Sequence, residues 1–371
     1  MNSLNNNEFN SILDSIVKNL KDPLLANLFR EFLINTQKNS EFELDEKQFQ
    51  EFISFYLDNT SDEFLKDIIP EEIRNLSQFR SDQDNLKLKI REIWGEALDL
   101  LEILYLMSYE IGSNFNQEEQ RNPENSQDFI FIALTRLHGR ACQTFFEIII
   151  LLENGFASGA NARWRTLDEI AVTAFFIQKH GQEIAERYLN HSYIDSLTAM
   201  IQHNEHADRL DVEKCSEDEI NKIRDFCSEL KMKYGPEFSN NYGWASPVLL
   251  TKKGKPNFKP NYSMLEKDVN LNHLKPYYKM ASHAVHAHSK GILFNLSYHP
   301  EEKLIPSGSS IFGLADPGQL AAISLIQTNT VLLISKPTVT RMVYLKAMQK
   351  LLKDIKTAFS NSHLIFEQFK N

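Results

Sequence analysis

The stretch from Asp128 to Gly155 reads DFIFIALTRLHGRACQTFFEIIILLENG, and it decides the fold. Its apolar residues recur every three or four positions, which predicts a helix with one broad apolar stripe. They are Phe129, Ile132, Ala133, Leu137, Ala141, Phe145, Ile148, Ile149 and Leu152. Further apolar residues widen this stripe, so we expect a central helix of a large bundle. Gly155 follows where a left-handed helix end favours glycine.

A second helix is predicted directly after the first, with Ser158 as the residue that caps its N-terminus. One face of this helix combines apolar residues with Asn161, Arg165 and Glu169. Arg165 and Glu169 are four positions apart and can form an ion pair along the helix. If this face is buried, the two charges must be paired, because an unpaired buried charge is very costly.

The length and composition allow a sizeable hydrophobic core. The chain has 371 residues, of which 42% are hydrophobic, and its net charge of −10 argues against a broad nucleic-acid-binding surface. A small basic cleft remains compatible with that charge. The three cysteines have no metal-type spacing, which favours a reducing compartment. We find no signal peptide and interpret residues 320–334 as a bundle helix, so we expect a cytoplasmic protein without a membrane span.

The apolar periodicity predicts an all-α fold in three parts. Residues 1–83 form an N-terminal helical accessory region, residues 84–335 a central multi-helix bundle, and residues 336–371 a C-terminal amphipathic helix. The N-terminal region has stripes at residues 9–20 and 24–33. The same periodicity predicts helices at residues 84–113, 182–209 and 339–359.

A second unusual helix is predicted after Pro276. Tyr278, Ser282, His286 and Ser289 follow one another at spacings of four, four and three, so one face of this helix is wholly polar. The segment before it, residues 234–262, is rich in Gly, Pro and Asn and predicts a loop. Its aromatic residues Tyr242, Trp244 and Phe238 could hold this loop against the bundle.

Three segments carry a family resemblance. They are the run Ala160–Glu169, the tetrapeptide Tyr242–Ala245, and the helix with Tyr278, Ser282 and His286. Together they resemble a family of bacterial α-helical proteins known only as a domain of unknown function, often encoded near phage-defence and mobile-element genes. The resemblance implies a helical fold and a defence-associated role, and it does not imply a mechanism.

The resemblance covers roughly residues 95 to 335 and leaves out the N-terminal region and the tail. Some such families look like distant relatives of the HEPN superfamily, whose ribonucleases use an arginine followed some five to seven positions later by a histidine. This chain departs from that pattern. Its nearest version, Arg187 to His191, is one residue short.

The first functional hypothesis places Arg165, Glu169 and His286 in a cleft as catalytic residues acting on phosphate or RNA. A neutral histidine could take a proton from a ribose hydroxyl. The planar guanidinium of Arg165 could stabilise charge on the phosphate, with Glu169 orienting its partners. This would be a metal-independent, HEPN-like ribonuclease. The alternative is a buried polar network that only fixes the register of the helices.

The second hypothesis is a phage-defence effector or adaptor whose polar pocket binds a phosphate-bearing ligand or a partner without chemistry. Here the same pocket is lined by five further residues. These binding residues are Arg163, His191, Tyr278, Ser282 and Trp244. The expected partners are RNA or a nucleotide, a protein of the defence system, and a second copy of the chain in a homo-oligomer.

We expect no metal and no cofactor. His283 and His286 are three positions apart, a spacing that can share a metal on a helix, but the chain has no Glu-x-x-His pair to complete such a site. Ser282 and His286 could suggest a nucleophile with its base. No Gly-x-Ser-x-Gly elbow accompanies them, and a hydrogen bond along the helix is the simpler interpretation.

Overall fold

The computed structural model of the protein describes residues 46–250, 259–286, 289–293, 296–297 and 307–368. Every regular element within these ranges is helical, which confirms the predicted all-α, multi-helix fold with a C-terminal helix. The described residues form eleven α-helices: α1 (Glu46–Gln120), α2 (Phe129–Glu153), α3 (Ala157–His180), α4 (Gln182–Leu210), α5 (Glu217–Tyr234), α6 (Ser246–Leu249), α7 (Tyr262–Asp268), α8 (Lys275–Val285), α9 (Ser289–Leu293), α10 (Ala315–Ser335) and α11 (Val339–Gln368). Short 3-10 turns cover Pro123–Gln127, Pro236–Ser239, Gly243–Ala245 and Asn272–Leu274.

The chain divides into two compact units between Ser81 and Asp82. Of the first unit, the structure describes residues 46–81, the first part of α1, whose described side chains are mostly exposed. The apolar stripes predicted at residues 9–20 and 24–33 lie outside the described residues.

The second unit begins at Asp82 and includes α11, which the sequence analysis treated as a separate C-terminal part. Helix α10 packs against α2, α3 and α11 and supplies much of the core. The Trp164 indole of α3 donates a 3.0 Å hydrogen bond to the Ser324 hydroxyl of α10, which satisfies both buried polar groups. By length and composition α10 could cross a membrane, and 67% of its most apolar window is buried within the bundle.

A buried polar chain crosses this core between α1, α2 and α10. The Asn329 amide nitrogen donates to the Ser108 hydroxyl at 2.8 Å and to the Leu325 carbonyl at 3.0 Å. Both amide hydrogens are therefore used, and the amide oxygen accepts from Nε2 of His138 at 3.0 Å. Burial lowers the pKa of His138, which favours the neutral imidazole. His138 is a satisfied core histidine and ties three helices together.

Several helix boundaries differ from the predicted ones. Helix α1 runs past residue 113 to Gln120. Helix α8 ends at Val285, and His286 adopts an extended backbone with φ −111° and ψ 142°. The amide of His286 still donates to the Ser282 carbonyl at 3.1 Å, which is the last bond of the helix. Ser289 begins a separate helix, so it does not continue the polar face of α8 as predicted.

The junction between α2 and α3 shows one prediction confirmed and one wrong. Gly155 has a φ of +76°, the left-handed conformation that its position predicted. Ser158 does not cap α3, because the helix already begins at Ala157 after the N-cap residue Phe156. The Ser158 hydroxyl instead accepts a 3.2 Å hydrogen bond from the backbone amide of Leu296.

Candidate functional site

The polar faces of α3 and α8 meet at Arg165 and His286. Nη1 of Arg165 lies 3.4 Å from Nε2 of His286, the residue that follows the last turn of α8. Nε of Arg165 donates to Oε1 of Glu169 at 3.2 Å, one turn further along α3. The three residues predicted as catalytic therefore form one cluster, because α3 and α8 pack side by side. We refer to Arg165, Glu169, Tyr278 and His286 as the Arg165 cluster.

Tyr278 of α8 contacts both charged residues of α3. Its ring lies under the Arg165 guanidinium, with 4.7 Å between Cζ and the ring centroid. Its hydroxyl donates a hydrogen bond to Oε1 of Glu169. Burial and this bond raise the pKa of Tyr278, so the phenol remains a donor at neutral pH. Tyr278 thereby fixes the positions of both the guanidinium and the carboxylate.

The loop residue Tyr242 lies near enough to Arg165 and Glu169 to interact with both charges. Burial and the Glu169 carboxylate together raise the pKa of Tyr242 to about 12, and the Arg165 guanidinium opposes this shift. The pKa of Arg165 itself is raised: partial burial lowers it, and the contacts with Tyr278 and Glu169 outweigh that effect. Arg165 is therefore a permanent cation in this setting.

A second tyrosine–carboxylate pair lies behind the first. The Tyr262 ring of α7 stacks on Tyr278, with centroids 4.7 Å apart and 22° between the planes. Its hydroxyl donates a 2.6 Å hydrogen bond to Oδ2 of Asp168. Asp168 is 1% exposed, and its Oδ1 has no hydrogen-bond partner among the described residues. The pKa of Asp168 is raised to about 7, mainly by burial and also by the Glu266 carboxylate, while the hydrogen bond from Tyr262 opposes the shift.

The Arg165 cluster is partly open to water. The Arg165 side chain is 24% exposed and that of Glu169 34%, and His286 is exposed. The buried pair of Tyr262 and Asp168 forms its inner side, and the Arg165–His286 contact its outer side. The arrangement is thus accessible to a ligand, which a sealed core network would not be.

His191 and Trp244, both predicted to line the same pocket, lie elsewhere. Nε2 of His191 pairs with the Asn240 carbonyl at 3.1 Å, and its ring packs edge-on against Phe238. Trp244 is 5% exposed and packs edge-on against Tyr188, with centroids 5.0 Å apart. Both residues therefore hold the loop after α5 against α4.

Arg187 fixes the same loop. It is 3% exposed and donates to three acceptors in the loop: the Trp244 carbonyl at 3.0 Å, the Gly243 carbonyl at 3.2 Å and the Ser246 hydroxyl at 3.1 Å. Its guanidinium also lies over the rings of two aromatic residues, Tyr234 and Phe238. Arg187 and His191, the pair nearest to a HEPN-type motif, thus both use their side chains to hold this loop.

The remaining two predicted binding residues also have structural partners. Arg163 projects toward α2, where it pairs with Glu147 and lies 3.4 Å from the Thr144 hydroxyl. The Ser282 hydroxyl donates to the Tyr278 carbonyl at 2.8 Å within α8. Arg163 is therefore separate from the Arg165 cluster, while Ser282 lies beside it without contacting Arg165 or Glu169 through a described hydrogen bond.

A separate groove of about 330 Å³ lies between α2 and α4. His191 and Trp244 line it together with Arg136, Arg140 and Asp195. We refer to it as the α2–α4 groove. Another groove, of about 440 Å³, lies between α1 and α2 beside His138 and is lined mostly by apolar and small polar residues. None of the residues of the Arg165 cluster lines either groove.

The sequence did not point to Asp168, Tyr262 or the two arginines of the α2–α4 groove, Arg136 and Arg140. Asp168 could have been found, because it follows Trp164 by four residues and Leu167 by one, at a position of α3 that helical spacing assigns to the core. A carboxyl group there needs a donor. Tyr262 carried no such signal, because only the packing of α7 on α3 brings it to Asp168.

The described residues contain no group of three or more His, Cys, Asp or Glu side chains arranged to hold a metal ion. Asp168 and Glu266 are both buried carboxyl groups, and each has one oxygen without a hydrogen-bond partner in the described part of the chain. Their surroundings supply tyrosine and apolar side chains, and no third metal-binding side chain joins them.

Residues 131–303 match the model of a family described as a family of unknown function (DUF5677). The matched segment contains the Arg165 cluster and the α2–α4 groove, and it is narrower than the span of residues 95–335 expected from the resemblance. The match indicates an uncharacterised domain and carries no activity with it. No curated protein matches the chain, and no solved structure matches it either.

Proposed function

We propose that the chain binds a phosphate-bearing ligand, a nucleotide or RNA, at the Arg165 cluster. The observation that carries this proposal is the 3.4 Å contact between Nη1 of Arg165 and Nε2 of His286 at a site open to water. A guanidinium can only donate hydrogen bonds, so a hydrogen bond at this contact uses the His286 tautomer whose Nε2 carries no proton. An anion between the two groups would let both of them donate to it.

The surroundings of Arg165 prepare it for this role. Glu169 engages Nε, and the Tyr278 ring supports the flat face of the guanidinium. The side chain is thereby held in one orientation before the ligand arrives, which lowers the entropic cost of binding. Arginine in a fixed orientation suits the two oxygens of a phosphate better than lysine would. Glu169 opposes anion binding through its charge, and its bond from Tyr278 partly offsets that charge.

The test is binding of a fluorescent single-stranded RNA, measured by anisotropy at low salt. We expect Arg165→Gln to weaken binding at least about tenfold, because it removes a charge-assisted contact to phosphate. Arg163→Gln is the matched control: it lies two residues away on α3, but it pairs with Glu147 and should leave binding unchanged. Equal binding by both variants and the wild type would refute the proposal.

A metal-independent ribonuclease is the second candidate, and the position of His286 Nε2, 3.4 Å from Nη1 of Arg165, supports it. That nitrogen could accept the proton of a ribose 2′-hydroxyl while Arg165 stabilises the developing charge on the phosphate. The 2′-oxygen would bond to phosphorus as the bond to the 5′-oxygen breaks, and the 5′-oxygen would take a proton from water, which gives a 2′,3′-cyclic phosphate and a 5′-hydroxyl end. Cleavage in the presence of a chelator should disappear in His286→Ala and persist in His206→Ala, which changes an exposed histidine on α4. If the wild type does not cleave RNA, the ribonuclease candidate is refuted and only the ligand-binding proposal stands.

The third candidate is an interaction protein in which the cluster only fixes helix register. The partial exposure of Arg165 and Glu169 speaks against it, because a register-fixing network gains most when water is excluded. On this alternative, Arg165→Gln lowers stability and changes no binding property. Urea denaturation of the variant, measured together with the anisotropy, distinguishes a binding site from a network that only fixes helix register.

The cellular setting belongs to the same proposal. The resemblance supports a phage-defence effector or adaptor in the cytoplasm, acting with a protein partner and as a homo-oligomer. We expect expression of the wild-type chain to reduce phage plaques on a bacterial lawn, and Arg165→Gln to lose this protection at equal protein level. Light scattering after size-exclusion chromatography measures the oligomeric state directly. A monomeric mass would remove the homo-oligomer from the proposal.

A further inference from the structure

The α2–α4 groove carries a positive wall in a protein whose net charge is −10. Arg136 and Arg140 are four residues apart, so they project from the same face of α2 one turn from each other. Both are exposed. Arg140 donates to the Gln143 amide at 2.9 Å, and neither arginine forms an ion pair with the residues that the structure describes. Their charges are therefore available to an anion.

The opposite side of the groove is aromatic and rigid. Tyr188 and Trp244 line it and pack edge-on against each other at 5.0 Å. The Trp244 backbone cannot shift easily, because the buried Arg187 holds its carbonyl. Such a surface favours a flat, apolar group, since aromatic rings prefer stacked or edge-on contacts with other rings. The groove thus combines two cations with an aromatic wall.

One negative charge faces the arginines. Asp195 lines the groove from α4, and its side chain is 71% exposed. Its Oδ2 lies 3.5 Å from Nδ1 of His191, which is fixed on its other side by the Asn240 carbonyl. The two arginines still leave the groove with a net positive charge. The Asp195 carboxylate weakens the attraction of the groove for an anion. Removal of its charge should therefore strengthen anion binding, whereas removal of the arginines should weaken it.

We propose that the α2–α4 groove binds a phosphate monoester carried on a planar ring, that is, a nucleoside monophosphate or the phosphorylated end of a strand. The phosphate lies between Arg136 and Arg140, whose guanidinium groups can each donate two hydrogen bonds to its oxygens. The base lies against Tyr188 and the edge of Trp244. The volume of about 330 Å³ is in the range of small-molecule sites. This site is distinct from the Arg165 cluster, because the two share no lining residue.

Isothermal titration calorimetry with AMP at low salt tests the inference. The double variant with Arg136→Gln and Arg140→Gln should bind AMP at least about tenfold more weakly than the wild type. Asp195→Asn should bind it about two- to fivefold more tightly, because a like charge is removed. Arg224→Gln is the matched control, since Arg224 is an exposed arginine of α5 outside the groove.

Adenosine and inorganic phosphate complete the test. Each should bind more weakly than AMP, because each offers only one half of the recognised ligand. A short RNA with and without a 5′-phosphate distinguishes a strand end from a free nucleotide. The inference is overturned if the wild type gives no heat with millimolar AMP, if adenosine binds as tightly as AMP, or if the double variant equals the wild type. Loss of AMP binding in Arg165→Gln alone would also overturn it, because the ligand would then belong to the Arg165 cluster.

Discussion

The Tyr262 hydroxyl donates a 2.6 Å hydrogen bond to Oδ2 of Asp168, a carboxyl group that is 1% exposed. Burial raises the pKa of Asp168 to about 7, from about 3.9 in the unfolded chain. The folded protein therefore keeps a proton that the unfolded chain releases, and unfolding becomes easier as the pH rises between these two values. The slope is at most about 1.4 kcal/mol per pH unit.

We expect Asp168→Asn to remove this slope, because asparagine mimics the protonated acid and can still accept from Tyr262. The variant should exceed the wild type in unfolding free energy at pH 8 and lose the advantage near pH 4. Urea denaturation from pH 4 to 8 measures it, with Asp208→Asn, an 88% exposed carboxyl, as the control. If the unfolding free energies of Asp168→Asn and the wild type change with pH in the same way, the pKa of Asp168 is not raised.

Tyr278→Phe removes one hydroxyl of the Arg165 cluster. The substitution keeps the ring that contacts Arg165 and Tyr262, and it removes the hydroxyl that donates to Glu169 and also interacts with the Arg165 guanidinium. We expect a loss of about 1 to 3 kcal/mol of unfolding free energy, the usual range for a bond to a charged group. Tyr277→Phe, on the exposed side of the same helix, should change it by less than about 0.5 kcal/mol. Equal effects of the two substitutions would show that the hydroxyl of Tyr278 contributes nothing.

Arg187→Met tests what holds the loop after α5. The substitution keeps most of the buried volume and removes the arginine donor of the Trp244 carbonyl, while the Gly243 carbonyl keeps its bond from the Ser246 hydroxyl. We expect a loss of roughly 1 to 3 kcal/mol of unfolding free energy, the cost of one unsatisfied buried group. Limited proteolysis should then cut between residues 235 and 246. Arg163→Met is the control, and an uncut loop in Arg187→Met would rule out this role.

Two glycines near the start of α3 should respond to alanine with opposite signs. Gly155 has a φ of +76°, and a Cβ there would lie 2.6 Å from the Ser310 carbonyl oxygen, so Gly155→Ala should cost about 1 to 3 kcal/mol. Gly159 lies inside α3, and its nearest neighbour to a new Cβ is 3.5 Å away. Gly159→Ala should therefore gain about 0.5 to 1 kcal/mol. Thermal unfolding compares the pair, and a shift of the same sign in both would contradict the strain assigned to Gly155.

The helical periodicity predicted the class of fold and the presence of the two polar faces. The spacing of Arg165 and Glu169 also predicted their ion pair, which forms at 3.2 Å. The same reasoning failed for His191 and Trp244, which it placed with Arg165. Both residues lie on or beside α4, and nothing in the spacing along one helix says which neighbouring helix its polar face will meet.

By itself the sequence determined the helices and which residues share a face, because those follow from a period of 3.6 residues along a single chain. Only the tertiary structure decided that α8 brings His286 to Arg165 and that α7 brings Tyr262 to Asp168. It likewise decided that Arg136 and Arg140 face an aromatic wall formed by Tyr188 of α4 and Trp244 of the loop after α5. Contacts between helices depend on how their apolar faces pack against one another, and many pairings satisfy the same pattern along the chain.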